Sequence, residues 1–315
     1  MDKMRTEKIR EIAKRLLKEG KVDEVIGYKA GTIPLRTQPF FAKTEEEADQ
    51  LIWDSNCRIN LANFLPRRKG KFAVTAKGCD ARNIVNHVVE NQFERDQVYI
   101  IGVPCDGMTE MDLILEKEPR PILEMEEQGG EITLKGKGFE TKIKKDECLR
   151  QNCSVCVHRN PTVYDELVTD EVSEQDVDRY VDIKDLLGKS EEERWAYYED
   201  LVKDCIRCYA CRDACPLCYC HVCFVDETMP QWVGKSQDRT DTLTYHILRA
   251  FHCAGRCTDC GACESACPVG IKVRQFTRLL EKDVKELYNY EAGMSLDKTP
   301  PLAVYRPDDP QDFIK

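Results

Sequence analysis

Seven cysteines fall within nineteen positions, from Cys205 to Cys223, in the run CIRCYACRDACPLCYCHVC. Cys205, Cys208, Cys211 and Cys215 are spaced C-x2-C-x2-C-x3-C and followed by Pro216. Cys257, Cys260, Cys263 and Cys267 repeat that spacing, followed by Pro268. The charged N-terminus predicts neither a secretory signal nor a membrane anchor, which places the chain in the cytoplasm. Thiols are kept reduced there, so clustered cysteines bind metal or carry redox chemistry rather than disulfides. A tight loop of three thiolates wraps three corners of a 4Fe-4S cube, and the fourth comes from across a pseudo-twofold axis. Zinc takes its four ligands in two pairs, a poor match to two triplets each closed by Cys-Pro.

The paired runs resemble the bacterial two-cluster ferredoxin domain, in which each fourth cysteine ligates the other cluster. That pattern assigns Cys205, Cys208, Cys211 and Cys267 to one 4Fe-4S cluster, and Cys257, Cys260, Cys263 and Cys215 to a second. The halves stand 41 residues apart, so an insertion (216–256) interrupts the domain. The insertion has its own sulfur: Cys218, Cys220 and Cys223 at its start and Cys253 at its far end. These would hold a further 4Fe-4S cluster or pack as small hydrophobes. His221 and His252 read as hydrogen-bond donors beside them.

Cys148, Cys153 and Cys156 form another group, C-x4-C-x2-C. Three thiolates need a fourth for a cluster, and Cys105 and Cys79 are the candidates. Both end predicted parallel strands, where α/β sheets place their sites. Cys57 has no evident partner. The helix start after Gly78 would present free N–H groups to a phosphate, with Lys77 and Arg82 nearby, or would be an ordinary helix start.

The elements that position these residues follow from periodicity. Ile9, Ile12, Leu16 and Leu17 share the face of a helix over residues 4–19. VDEVIGY reads as a strand, and Thr44 with Glu47 forms a capping box ahead of a helix through ADQLIW. KFAVTAK, ARNIVNHVVENQ and QVYIIGVPC read as strand, helix and strand, a βαβ unit with parallel strands. GGEITLKGKGFETKIKK reads as a hairpin turning at Gly136 and Gly138. Residues 171–199 are an acidic linker and a helix opened by the capping pair Ser190 and Glu193. Further helices are predicted over 241–254 and 271–290, and residues 291–315 form an extended arm. The fold expected is an α/β domain over 1–170, then an α+β ferredoxin-like domain over 200–290 with a helical insertion.

VIGYKAGT, FAVTAKGCDARNIV, VYIIGVPCDGM and CLRQNCSVC together resemble the beta-subunit family of deazaflavin-reducing hydrogenases and formate dehydrogenases. The resemblance implies iron–sulfur clusters and FAD exchanging electrons with a soluble carrier. It implies Cys105, Cys148, Cys153 and Cys156 as ligands of a third 4Fe-4S cluster, with KGCD near the flavin. Family members usually carry the ferredoxin motif before this domain, whereas here it follows. That order resembles accessory subunits of heterodisulfide-reductase-like assemblies in anaerobes. Two functions are therefore expected: an iron–sulfur electron-transfer subunit of an oxidoreductase complex, or a flavin-containing oxidoreductase module. A net charge of -10 argues against nucleic acid, and no apolar run approaches a membrane span. No dinucleotide fingerprint, phosphate loop or hydrolytic constellation is present.

Overall fold

The computed structural model describes residues 2–304, and it divides them into two units. The first comprises residues up to Arg82 together with Asn91–Arg179; the second comprises Asn83–Glu90 and the chain from Tyr180 onward.

The first unit begins with α1 (Asp2–Lys18), whose Ile9, Ile12, Ala13 and Leu16 are buried. Five strands follow at intervals to make one sheet in the order β2–β1–β3–β4–β8. They are β1 (Glu24–Ala30), β2 (Thr37–Ala42), β3 (Phe72–Ala76), β4 (Val98–Gly102) and β8 (Glu166–Leu167). β1, β3, β4 and β8 run parallel, and β2 is antiparallel to β1. Every residue of β3 is buried, as a strand covered on both faces must be. Between β3 and β4 runs α3 (Gly78–Val89), so the predicted βαβ unit forms.

The helix α2 (Glu45–Ala48) is one turn long rather than running through ADQLIW. Thr44 caps it through Glu47 N at 3.2 Å, but Ile52 leaves to bridge Tyr28. Burial of Leu51 and Trp53 beneath α1 and β1 thus overrides the local helical pattern. α4 (Met111–Lys117) leads into β5 (Ile122–Gln128), β6 (Glu131–Gly136) and β7 (Phe139–Lys144). The predicted hairpin β6–β7 forms, and β5 adds a third antiparallel strand that alternation had not disclosed. Ile114, Ile122, Ile132 and Leu134 make an apolar cluster over this sheet. α5 (Gln151–Ser154) carries the cysteine loop that follows.

The second unit contains α6 (Lys184–Leu187), α7 (Glu191–Leu201), α8 (Ala210–Asp213), α9 (Arg239–His252), α10 (Ala262–Ser265) and α11 (Arg274–Tyr288). Ser190 and Glu193 close the expected capping box at α7, with hydrogen bonds of 3.2 and 2.8 Å. Among the described residues of this unit there is no strand. The short strands of the expected α+β ferredoxin are replaced by α7 before the first cysteine run and α11 after the second. Beneath α11, Arg274 and Arg278 are buried and pair with Asp182, Asp259 and Glu281. Part of the predicted arm ends in a 3-10 turn, Pro301–Ala303; residues 305–315 lie outside the described residues.

Candidate functional site: the cysteine groups

The two ferredoxin-type runs share one backbone. Arg207 and Tyr209, flanking Cys208 in the first, have φ of 50° and 61°; Asp259 and Gly261, flanking Cys260 in the second, have 56° and 69°. Three of these four residues are not glycine, and each carries the cost of a left-handed conformation. The cost is met by anchors on the side chains. Arg207 donates to Gly234 O and Ser236 O at 2.6 and 2.7 Å, while Asp259 accepts both arms of Arg274 at 2.6 and 2.8 Å. Each loop then enters a single helical turn, α8 or α10, and these two turns pack together.

That folding turns backbone N–H groups onto sulfur. Asp259 N lies 3.4 Å from Cys257 Sγ, and Ile271 N lies 3.3 Å from Cys267 Sγ. The Arg207 N–H makes the matching contact to Cys205 and stabilises its thiolate. Around Cys205 the neighbouring thiols are Cys211, Cys267 and Cys208. Around Cys263 they are Cys215 and Cys260. The structure thus brings each fourth cysteine beside the opposite triplet. Burial is the leading influence on Cys257 and pushes its thiol up to about 12.

The insertion contributes a face of α9 that sequence reasoning overlooked. Tyr245 Oη lies 3.6 Å from Cys211 Sγ, and His246 Nε2 lies 3.4 Å from Cys205 Sγ. Burial lowers His246 to about 3, so its ring stays neutral. One turn on, Arg249 is 5% exposed and donates to Cys211 O at 3.0 Å. Its charge faces Cys215, Cys253, Cys263 and Cys211. No carboxylate pairs with it among the described residues, and its Nε has no hydrogen-bond partner there. The helical spacing 245, 249, 252 and 253 was the available signal. Cys253 caps the C-terminus of α9 and, with Cys218, hydrogen-bonds Cys215.

Asn83–Glu90 contributes side chains to the same unit. Asn83 reaches Thr258 Oγ1 at 2.8 Å, Asn86 reaches Arg256 O at 2.7 Å, and His87 reaches Pro216 O at 2.7 Å. These contacts fix the chain on either side of the cysteine runs. His221 and His252 line the cavity beside Cys218, Cys220 and Cys223, and His252 packs edge-on against Phe224.

In the first unit, Cys105, Cys153 and Cys156 gather: each of Cys105 and Cys156 feels Cys153, and Cys156 also feels Cys105. Burial pushes Cys105 up to about 11 and Cys156 up to about 12. Gly107 N lies 3.4 Å from Cys105 Sγ, another N–H aimed at sulfur. Gln175 holds the loop by donating to Cys153 O and Cys156 O at 2.9 and 2.7 Å.

The fourth member is where the sequence and the structure part. Cys148 is fully buried in the apolar cluster of Leu35, Ile114, Ile122, Ile132 and Leu134. Its side chain packs against the three-stranded sheet, so of the four cysteines implied by the resemblance the structure gathers Cys105, Cys153 and Cys156 and places Cys148 apart from them. Cys79 stands in the first turn of α3 instead. A side chain on Gly78 would strike the His158 and Asn160 carbonyls, and Cys156 Sγ lies 3.5 Å from that same His158 O. Arg82, on the same helix, also acts on Cys156. The turn carrying Cys79 is therefore packed against the loop carrying Cys156.

The phosphate-facing role considered for Lys77, Gly78 and Arg82 meets a crowded setting. Lys77 Nζ is spent on Asp80 at 2.8 Å, Tyr28 Oη at 2.8 Å and Ile59 O at 3.0 Å. The approach to Gly78 is closed by the carbonyls just described, and Arg82 is buried. A separate cleft of about 890 Å³ opens in this unit, walled by Arg10, Arg36, Trp53 and Met125 among others. Cys57 is buried beside Asp54. No helix among the described residues is long and apolar enough to cross a membrane.

No family model matches the chain. It is 26% identical, over 355 aligned positions, to an F420-dependent formate dehydrogenase subunit beta of Methanocaldococcus jannaschii, covering 92% of each chain. It is also 26% identical to an F420-dependent formate dehydrogenase 1 subunit beta of Methanococcus maripaludis, over 91% of this chain and 90% of that one. A chain of the F420-reducing NiFe hydrogenase complex from Methanosarcina barkeri gives a TM-score of 0.39 at 17% identity. That match covers 50% of this chain and 64%, just under two thirds, of the other. The resemblance to formate dehydrogenase beta subunits thus extends beyond the first half and through the ferredoxin-type runs.

Proposed function

We propose that this chain is an iron–sulfur electron-transfer subunit of a cytoplasmic formate-dehydrogenase- or hydrogenase-type complex. The observation that carries the reading is the pair of cysteine loops with one shared left-handed backbone and exchanged fourth cysteines. Cys205, Cys208, Cys211 and Cys267 would hold one 4Fe-4S cluster, and Cys257, Cys260, Cys263 and Cys215 a second. Cys79, Cys105, Cys153 and Cys156 would hold a third.

Two features of the chain favour an anionic iron–sulfur centre over free thiols. Arg249 is a buried cation without a carboxylate among the described residues, and burying an unpaired charge is expensive unless an anion compensates it. The N–H groups of Gly107, Asp259 and Ile271 already point at sulfur, the hydrogen bonds that tune such clusters. When bound, each cluster supplies reversible one-electron storage. The protein's part is to bury the centre, set its potential through Tyr245, His246 and Arg249, and hold the loops rigid.

A flavin-bearing module is the second reading. The F420-dependent relatives favour it, since hydride chemistry must be divided into single electrons before clusters can take it. The 890 Å³ cleft of the first unit has the size of a cofactor site, and it fits this role better than the engaged Lys77. Anaerobic purification with iron, sulfide and flavin determination on one sample tests both readings. Iron and sulfide at about four per assigned cysteine quartet support the carrier, and stoichiometric FAD adds the module. Zinc without sulfide would overturn both.

A further inference from the structure

We infer that the insertion builds a fourth iron–sulfur site, ligated by Cys218, Cys220, Cys223 and Cys253. This site rests on the reading of the chain as an iron–sulfur carrier. All four cysteines line one cavity of about 500 Å³ within the second unit. Three come from the turn after Pro216; the fourth arrives thirty positions later, because α9 ends there. The cavity is far larger than one metal ion needs, and its remaining walls include Leu217, Phe224 and Tyr245.

The chemistry of the lining selects sulfur. Asp213 and Asp226, the carboxylates at the rim, are both paired with Arg212 at 2.9 Å. Arg249 acts on Cys253 as well as on Cys215 and Cys263, so its uncompensated charge serves two anionic centres. Arg256 also lines the cavity, though Glu90 shares its charge at 2.5 and 2.6 Å. Cys215, assigned to the second ferredoxin-type cluster, hydrogen-bonds both Cys218 and Cys253. The fourth site therefore abuts that cluster directly. Cys220 is exposed, so the site extends the chain of redox centres to the surface of the insertion.

The test compares the full chain, purified anaerobically, with Cys253→Ala and with the double variant Cys220→Ser, Cys223→Ser. Iron and sulfide are assayed chemically, and dithionite-reduced samples are examined by electron paramagnetic resonance. Both variants should lose about four irons and four sulfides per chain, together with the spin coupling expected of two adjacent reduced clusters. Cys220 is exposed, so the double variant keeps the result readable should Cys253→Ala fail to fold. Cys260→Ala separates this site from the broader reading. If Cys260→Ala loses iron while the insertion variants keep all of theirs, the fourth site is wrong and the carrier stands. If none of the three loses iron, both fall. Zinc bound in proportion to these four cysteines would likewise overturn the site.

Discussion

Replacing Arg249 by glutamine should drive both ferredoxin-type clusters to more negative potentials. The guanidinium is 5% exposed, donates to Cys211 O at 3.0 Å, and faces thiols of both groups. Reduction adds one negative charge to a cluster, so a nearby fixed cation favours the reduced form. A unit charge at roughly 7 Å, acting through an effective dielectric of about 20, contributes about 2.4 kcal/mol. A tenfold change in a one-electron equilibrium corresponds to about 59 mV, so the loss is on the order of 100 mV. Glutamine keeps a donor for Cys211 O and removes only the charge, which isolates the electrostatic part. The assay is an anaerobic redox titration followed by electron paramagnetic resonance, with iron content measured on the same sample. Arg249→Lys should fall between the two, since it keeps the charge without the planar reach. Potentials within about 20 mV of wild type, at full iron content, would refute the argument that this cation sets them.

Tyr245→Phe removes the hydroxyl 3.6 Å from Cys211 Sγ; losing one hydrogen bond of about 1 kcal/mol should lower that cluster's potential by roughly 40 mV. Cys79→Ala should strip about four irons from the first unit, whereas Cys148→Ala, inside the apolar cluster, should keep all iron and cost about 1–2 kcal/mol of stability. Iron analysis beside urea unfolding separates the two. His87, buried and donating to Pro216 O, is lowered from 6.5 to about 4, chiefly by burial. Its folded value lies below its unfolded one, so the stability it contributes is present above pH 6.5 and is lost as pH falls toward 4. Between pH 7 and 5 this should cost about 2 kcal/mol, and His87→Gln should flatten that slope in urea titrations at the two pH values.

Much of the chemistry was legible because ligand spacing in a cluster loop is a local property. Cys205 to Cys215 and Cys257 to Cys267 announce their loops in sequence, and α7 announces its start through Ser190 and Glu193. The βαβ unit was equally plain, since β3 and β4 are buried on both faces and carry continuous apolar runs. What stayed hidden depends on which way a side chain turns. Cys148 and Cys153 are five positions apart, yet the three-stranded sheet takes one into its apolar cluster and leaves the other beside Cys105. Cys79 joins that neighbourhood only because the His158–Asn160 backbone packs on Gly78. The helix carrying Tyr245, His246 and Arg249 was expected, but which of its faces meets the cysteine loops depends on tertiary packing that the sequence does not display. In the fold it is the element that touches the sulfurs.

The central claim is most directly tested by one-electron titration of the anaerobically purified chain, following the visible charge-transfer band and paramagnetic signals together. The account predicts a broad iron–sulfur absorbance that bleaches reversibly with dithionite, giving reduced 4Fe-4S signals whose integrated spin tracks the electrons added. A colourless protein, or one whose metal is zinc and whose spectrum does not change on reduction, would contradict it.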